Sequence, residues 1–264
     1  MKRFLACLIV LFSLLAKSKA QSTSKALSLG GISTTLSERD NLFLNPAGLA
    51  SLNNIEVLAV TEQYYLLDGI NKSGVGVVLP IGFGAFGLTA SNFGFSEFRQ
   101  QKLGLTYARK LMDKISIGAQ FNYFQTRIPE YGSAGKISFE IGLQANLNKD
   151  IVVGTYILNP QQNENTSGAE LPTLLRTGIS YQVSKKIITA LELEKDIDFP
   201  LRIKYGIEYK LKEKFILRTG FSSRPANFHL GFGIQFSDHL TIDIGNKYDQ
   251  TLGLTPAASV GYSF

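Results

Sequence analysis

From residue 54 to the end of the chain, apolar and polar side chains alternate with a period of two. Over Lys136 to Leu147, one face carries Ile137, Phe139, Ile141, Leu143, Ala145 and Leu147, and the other carries Lys136, Ser138, Glu140, Gly142, Gln144 and Asn146. Successive side chains of a strand point to opposite sides, so this segment has one apolar and one polar face. Leu201 to Leu211 and Phe228 to Phe236 repeat the design. Ile115 to Tyr123, Leu175 to Val183 and Leu103 to Tyr107 follow it more briefly. The clearest runs have the length of about 9–11 residues that a tilted strand needs to cross a bilayer. Strands of globular proteins, including β-sandwiches, are usually about 5–6 residues long. The pattern therefore predicts an all-β protein, a transmembrane antiparallel up-and-down barrel over residues 54–264.

The connections fall into two sets. Tight turns lie around Pro80–Gly82, Met112–Lys114, Asn148–Asp150, Ser184–Lys186, Lys212–Lys214 and Ser237–His239. Longer ones lie near Asp68–Lys72, Phe93–Phe98, Ile128–Ala134, Asn159–Leu171, Lys195–Pro200, Ser223–Ala226 and Tyr248–Gly253. Short periplasmic turns and longer outer loops are the habit of bacterial barrels, and these connections predict about fourteen strands, an even number. Trp is absent, so Tyr residues are expected to supply the interfacial girdles, with Tyr64, Tyr65, Tyr107, Tyr123, Tyr181, Tyr205, Tyr209 and Tyr262 as candidates.

The N-terminus changes the setting. Lys2 and Arg3 precede an apolar stretch from Phe4 to Ala16, and Ser18 and Ala20 offer the small residues that a signal peptidase reads. Residues 1–20 are therefore expected to be a signal peptide, cleaved to leave Gln21 first. Loss of Lys2, Arg3, Lys17 and Lys19 lowers the formal net charge from +6 to +2. The remaining basic residues form no stripe suited to nucleic acid. Cys7, the single cysteine, lies within the signal, so no disulfide or thiolate metal site is expected.

Residues 21–53 do not alternate. They contain Ala26-Leu27-Ser28-Leu29-Gly30-Gly31-Ile32, then Arg39-Asp40-Asn41, then Leu44-Asn45-Pro46-Ala47-Gly48-Leu49-Ala50. This order resembles the N-terminal part of the long-chain fatty-acid transporter (FadL-like) superfamily, which also takes in the PorV and PorQ proteins of type IX secretion. The resemblance implies that the segment folds into the lumen as a hatch. Physical reasoning points the same way, because an unfilled polar lumen of this width is an open channel. Gly30, Gly31, Ala47 and Gly48 would allow close approach to the wall, Pro46 would break any helix and fix a turn, and the Asn45 amide would bond the backbone groups that turn frees.

The inward face is expected to carry Glu140, Arg176, Glu192, Arg202, Lys204, Glu208 and Arg218, together with Lys102, Lys136, Glu194, Lys210 and Asp243. Both signs are present, which favours a salt-bridged lining that holds the hatch over an ion-selective ring. Catalysis has little support. His229 has Asn227 and Gly231 as same-face neighbours, neither of them a nucleophile, and His239 sits in a turn where it is expected to be solvated. No cofactor or metal site is expected. At the C-terminus, Tyr262 and Phe264 point outward in a closing strand, which resembles the signature read by the barrel assembly machinery.

Two functions remain. The first is a non-enzymatic accessory of surface-protein export, similar to PorV and PorQ, with secretion proteins or exported cargo as partners beside outer-membrane lipid. The alternative is passive transport of small hydrophobic molecules. The loop Asn159–Leu171 reads as polar, which favours the export role over hydrophobic capture.

Overall fold

The structure, a computed structural model, describes residues 22–36, 38–160 and 173–264. The expected signal peptide and most of the loop Asn159–Leu171 lie outside these residues. Fourteen strands form one closed antiparallel barrel in which each pairs with its sequence neighbours and the last returns to the first. They are β1 (Glu56–Gln63), β2 (Asn71–Ile81), β3 (Gly84–Phe95), β4 (Phe98–Met112), β5 (Ile115–Ile128), β6 (Gly132–Asn146) and β7 (Ile151–Leu158). After the long loop come β8 (Leu174–Ser184), β9 (Ile187–Asp196), β10 (Arg202–Lys212), β11 (Phe215–Ser222), β12 (Asn227–Gln235), β13 (Leu240–Asp249) and β14 (Gly253–Ser263). Closure pairs Glu56 of β1 with Ser263 and Glu62 with Ala257, which leaves the sheet no free edge. No helix among the described residues is long and apolar enough to cross a membrane.

The alternation sets the two faces. On β6, Ile137, Phe139, Ile141 and Leu143 are exposed on the outside, whereas Ser138, Glu140 and Gln144 are buried inside. Every turn expected to be tight falls at one end of the barrel, with both ends of the strand order. The longer connections fall at the other end, called here the mouth.

Tyr64 and Tyr65 depart from the expected girdle. They form a short 3-10 helix, Tyr64–Leu66, that turns back over the mouth. The Tyr65 amide donates to Thr255 Oγ1 at 3.2 Å, and Thr255 is a fully buried, inward residue. His239 is exposed in its turn and makes two contacts there. Its Nδ1 lies 2.8 Å from the Ser263 carbonyl and its ring stacks on Tyr262, so it ties β14 to the turn before β13. Tyr262 and Phe264 are exposed on the outer side in edge-to-face contact at 4.8 Å.

Candidate functional site

Residues 22–36 and 38–53 lie within the barrel. They begin with α1 (Ser24–Ser28), capped by the Thr23 side chain and stopped by Gly30 and Gly31 at φ of +78° and +80°, a conformation open to glycine at no steric cost. A 3-10 turn, Arg39–Leu42, follows, and then a 3-10 helix, Pro46–Ser51. Pro46 opens this helix where the sequence suggested a break. A first-turn proline gives up no intrahelical bond, and Asn45 supplies the cap, accepting from the Ala47 amide at 3.1 Å.

The wall meets this segment in two ways. On β1–β4 the inward positions turn apolar: Leu58, Val60, Val78, Ala85 and Ala108 pack on Leu42, Phe43 and Leu49. Burying each of these large side chains contributes about 1.5–3 kcal/mol. Elsewhere the wall presents glycine. A side chain at Gly118 would meet the Pro46 backbone, at Gly142 the Asn45 amide, at Gly154 the Thr34 carbonyl, at Gly206 the Leu29 carbonyl and at Gly220 the Gly30 amide. These glycines let the main chain of the segment lie directly on the main chain of the sheet. Gly48, within the segment, makes room for the Asn41 side-chain amide.

Polar anchors complete the fit. Asn45 Nδ2 donates to the Thr34 carbonyl at 2.9 Å and reaches the Leu143 carbonyl of β6 at 3.3 Å. Gln144 Nε2 donates to the carbonyls of Thr34 and Leu36 at 2.8 and 2.7 Å. Glu192 is fully buried and accepts from the Ser33 and Thr34 amides at 2.7 and 2.8 Å, from Thr34 Oγ1 at 2.9 Å and from Lys204 Nζ at 2.8 Å. Lys204 also donates to Glu194 and to the Gly31 carbonyl, at 2.8 and 3.0 Å. Arg176 binds Glu194 at 2.7 Å and the Ser33 hydroxyl at 3.0 Å. Arg39 pairs with Glu56 of β1 at 2.8 Å.

The other expected lumen charges fall into smaller groups. Arg218 bridges Glu208 at 2.8 Å and Asp243 at 2.5 Å, with Lys25 of α1 at 3.9 Å from Glu208. Glu140 accepts from Lys102, Asn122 and the Tyr156 hydroxyl, each at 2.7 Å, away from the segment. Arg202 sits at the rim, where it binds Glu194 and the Arg224 carbonyl. Within the segment, Asp40 is 3 % exposed, and burial pushes its carboxyl up to about 6.

His229 has a neighbour that its own strand does not reveal. Ser222 of β11 places its hydroxyl 3.2 Å from Nε2, and both residues are buried. Among the described residues no carboxylate, the group that orients the base in a hydrolase triad, hydrogen-bonds the His229 ring. No group of three or more His, Cys, Asp and Glu among the described residues could hold a metal ion.

The mouth is aromatic. Tyr64 stands edge-on to Phe93 at 5.4 Å, Phe93 meets Phe98 at 6.3 Å, and Lys247 lies 5.2 Å above the Tyr65 ring. Tyr65 and Leu66 both hold positive φ, 56° and 54°, a costly conformation for such residues.

No protein-family model matches the chain, and no curated protein matches it. Solved structures do. The toluene transporter TbuX of Ralstonia pickettii is 12% identical, with a TM-score of 0.74 over 94% of this chain and 99% of that one. The CymD monoaromatic hydrocarbon channel is 14% identical, with a TM-score of 0.73 over 94% of this chain and 99% of that one. A FadL homologue from Pseudomonas aeruginosa is 13% identical, with a TM-score of 0.67 over 92% and 98%. At these identities the likeness is one of fold, and it spans nearly the whole of each chain.

Proposed function

We propose that this chain is an outer-membrane barrel that passes small hydrophobic molecules passively, with residues 22–53 as the hatch that closes its lumen. The observation that carries the reading is the fold shared nearly end to end with TbuX, a toluene transporter, and with CymD, a monoaromatic hydrocarbon channel. The mouth supports it. Tyr64 and Phe93, packed on the buried Phe98, give a dissolved hydrophobic molecule an apolar surface to leave water for. The polar loop that spoke against hydrophobic capture is set aside, because the aromatic surface comes from β3, β4 and the connection after β1. The export-accessory reading rests on the polar loop Asn159–Leu171, most of which lies outside the described residues, and no feature of the geometry favours it.

The strand pairing around the wall is continuous, so on this reading the route runs lengthwise past the hatch, which must yield for a molecule to pass. The test is uptake of radiolabelled toluene, at low external concentration, by cells producing the protein. The expected result is uptake several times faster than in cells producing a Phe93→Arg variant or none. Equal uptake in all three would overturn the reading.

A further inference from the structure

The outer face of β4 and β5 places two arginines side by side. Arg99 and Arg127 are direct cross-strand partners, both exposed on the outer side. Like charges directly opposite on a sheet repel, yet among the described residues neither guanidinium has an ion pair or a side-chain hydrogen bond, and neither Glu97 nor Glu130 in the adjoining connections pairs with them. One step down the wall, Gln101 faces Gln125 and Asn92 faces Gln101. With Ser73 they rim a hollow of about 490 Å³ whose floor is the apolar side chains of Val75, Ala90 and Leu103. Below it lies an apolar groove of about 630 Å³, lined on the outside by Val75, Ala90, Leu103, Leu105, Phe121 and Tyr123. Ala90 is the short side chain that leaves the groove open. Tyr123 leans upward, because Gly135 has no Cβ to obstruct its hydroxyl, and so carries a polar tip to the level of Gln125.

Read from the tight-turn end towards the mouth, this face is apolar, then neutral polar, then doubly cationic. Arg99 lies four residues along β4 from Leu103, about 13 Å at the usual strand rise of about 3.3 Å. That distance carries a side chain from the hydrocarbon layer into the headgroup layer of a bilayer about 40–45 Å thick. The order matches an amphiphile with an acyl chain, a hydroxylated or amide-bearing neck and a phosphate. Two adjacent guanidinium forks suit a phosphate, and its charge relieves their repulsion. We propose that this face of β2–β5 is a site for one phosphorylated lipid of the outer leaflet. The proposal rests on the outer-membrane setting proposed above, and not on the transport reading.

The experiment uses the processed full-length protein, extracted in uncharged detergent and titrated with lipid A, a diphosphorylated glycolipid, under native mass spectrometry. Expected is a retained one-to-one complex, weakened at least tenfold in Arg99→Gln/Arg127→Gln. Arg109→Gln, outward at the opposite end of β4, should bind as the parent does. Ala90→Phe, which fills the groove and keeps both arginines, should also weaken the complex, separating a lipid site from a bare anion site. Heat-shifted migration on a denaturing gel checks that each variant is folded. Undiminished binding by the double variant would overturn the proposal, as would equal loss in Arg109→Gln or full competition by inorganic phosphate at matched concentration.

Discussion

Glu192→Gln removes the most heavily used tie between the N-terminal segment and the wall while hardly changing its shape. The carboxylate takes two main-chain N–H groups of the segment at 2.7 and 2.8 Å, the Thr34 hydroxyl at 2.9 Å and Lys204 at 2.8 Å. A glutamine keeps one acceptor oxygen but loses the charge and turns an amide donor towards other donors. Hydrogen bonds to charged groups contribute about 1.5–3 kcal/mol against about 1 for neutral ones. Lys204 keeps Glu194 at 2.8 Å, so no cation is stranded. The net loss from the docked state is about 2–4 kcal/mol, which moves the docked–undocked equilibrium roughly 30- to 700-fold. Amide hydrogen exchange at Ser33 and Thr34 should accelerate by that factor where exchange follows local undocking, and brief openings in planar bilayers should become more frequent. Unchanged exchange at Thr34 would refute the assignment of Glu192 as an anchor.

Gly142→Ala should loosen the same segment from β6, because the added methyl falls on the Asn45 amide. Faster exchange at Ala47 checks this, and an unaltered rate would count against it. Ile141→Arg, outward on β6, should cost about 2–4 kcal/mol at mid-membrane and reduce insertion, read as the heat-shifted fraction on a gel. Asp40 gives a pH dependence. Burial holds its carboxyl near 6, above the ordinary value for aspartate of about 3.9, so the docked state binds the extra proton between those values. Docking should therefore weaken as pH rises from about 4 to about 6 and stay level above, by at most about 3 kcal/mol. Asp40→Asn should abolish the slope in conductance measured at pH 5 and pH 7.5.

The wall was legible in the sequence because strand period, turn chemistry and lipid contact all act locally. Ile137 to Leu147 shows which way each side chain points without reference to any other strand. What sits across the lumen is a matter of register, and register is where the sequence reading ended. Gln144 reads in the sequence as one more polar position on the inward face, yet it holds two carbonyls of the segment. His229 was judged on its own strand, while Ser222, beside it in space, is on β11. The inward glycines of β5–β13 were visible as gaps in the polar face, and the main chain lying against them was not. Leu58, Val60 and Val78 break the rule of a polar interior because their neighbours are Leu42, Phe43 and Leu49. The clue was available, since those apolar inward residues need a partner other than water. Tyr64 and Tyr65 were assigned to the girdle by residue type alone, and the turn at Tyr64–Leu66 sends them over the mouth instead.

Single-channel conductance of a variant lacking residues 22–50 tests the central claim, that this segment closes the lumen, most directly. The fourteen strands keep their pairing and lipid contacts in such a variant, so it should insert as a barrel. Removing α1, the Arg39–Leu42 turn and Asn45–Pro46 empties the space that they occupy against Glu192, Gln144 and the glycines of the wall. Conductance in planar bilayers should rise well above that of the intact protein and persist as a steady open level. A variant that inserts normally and conducts no more than the intact protein would contradict the account, because the lumen would then be closed by the wall's own side chains and loops.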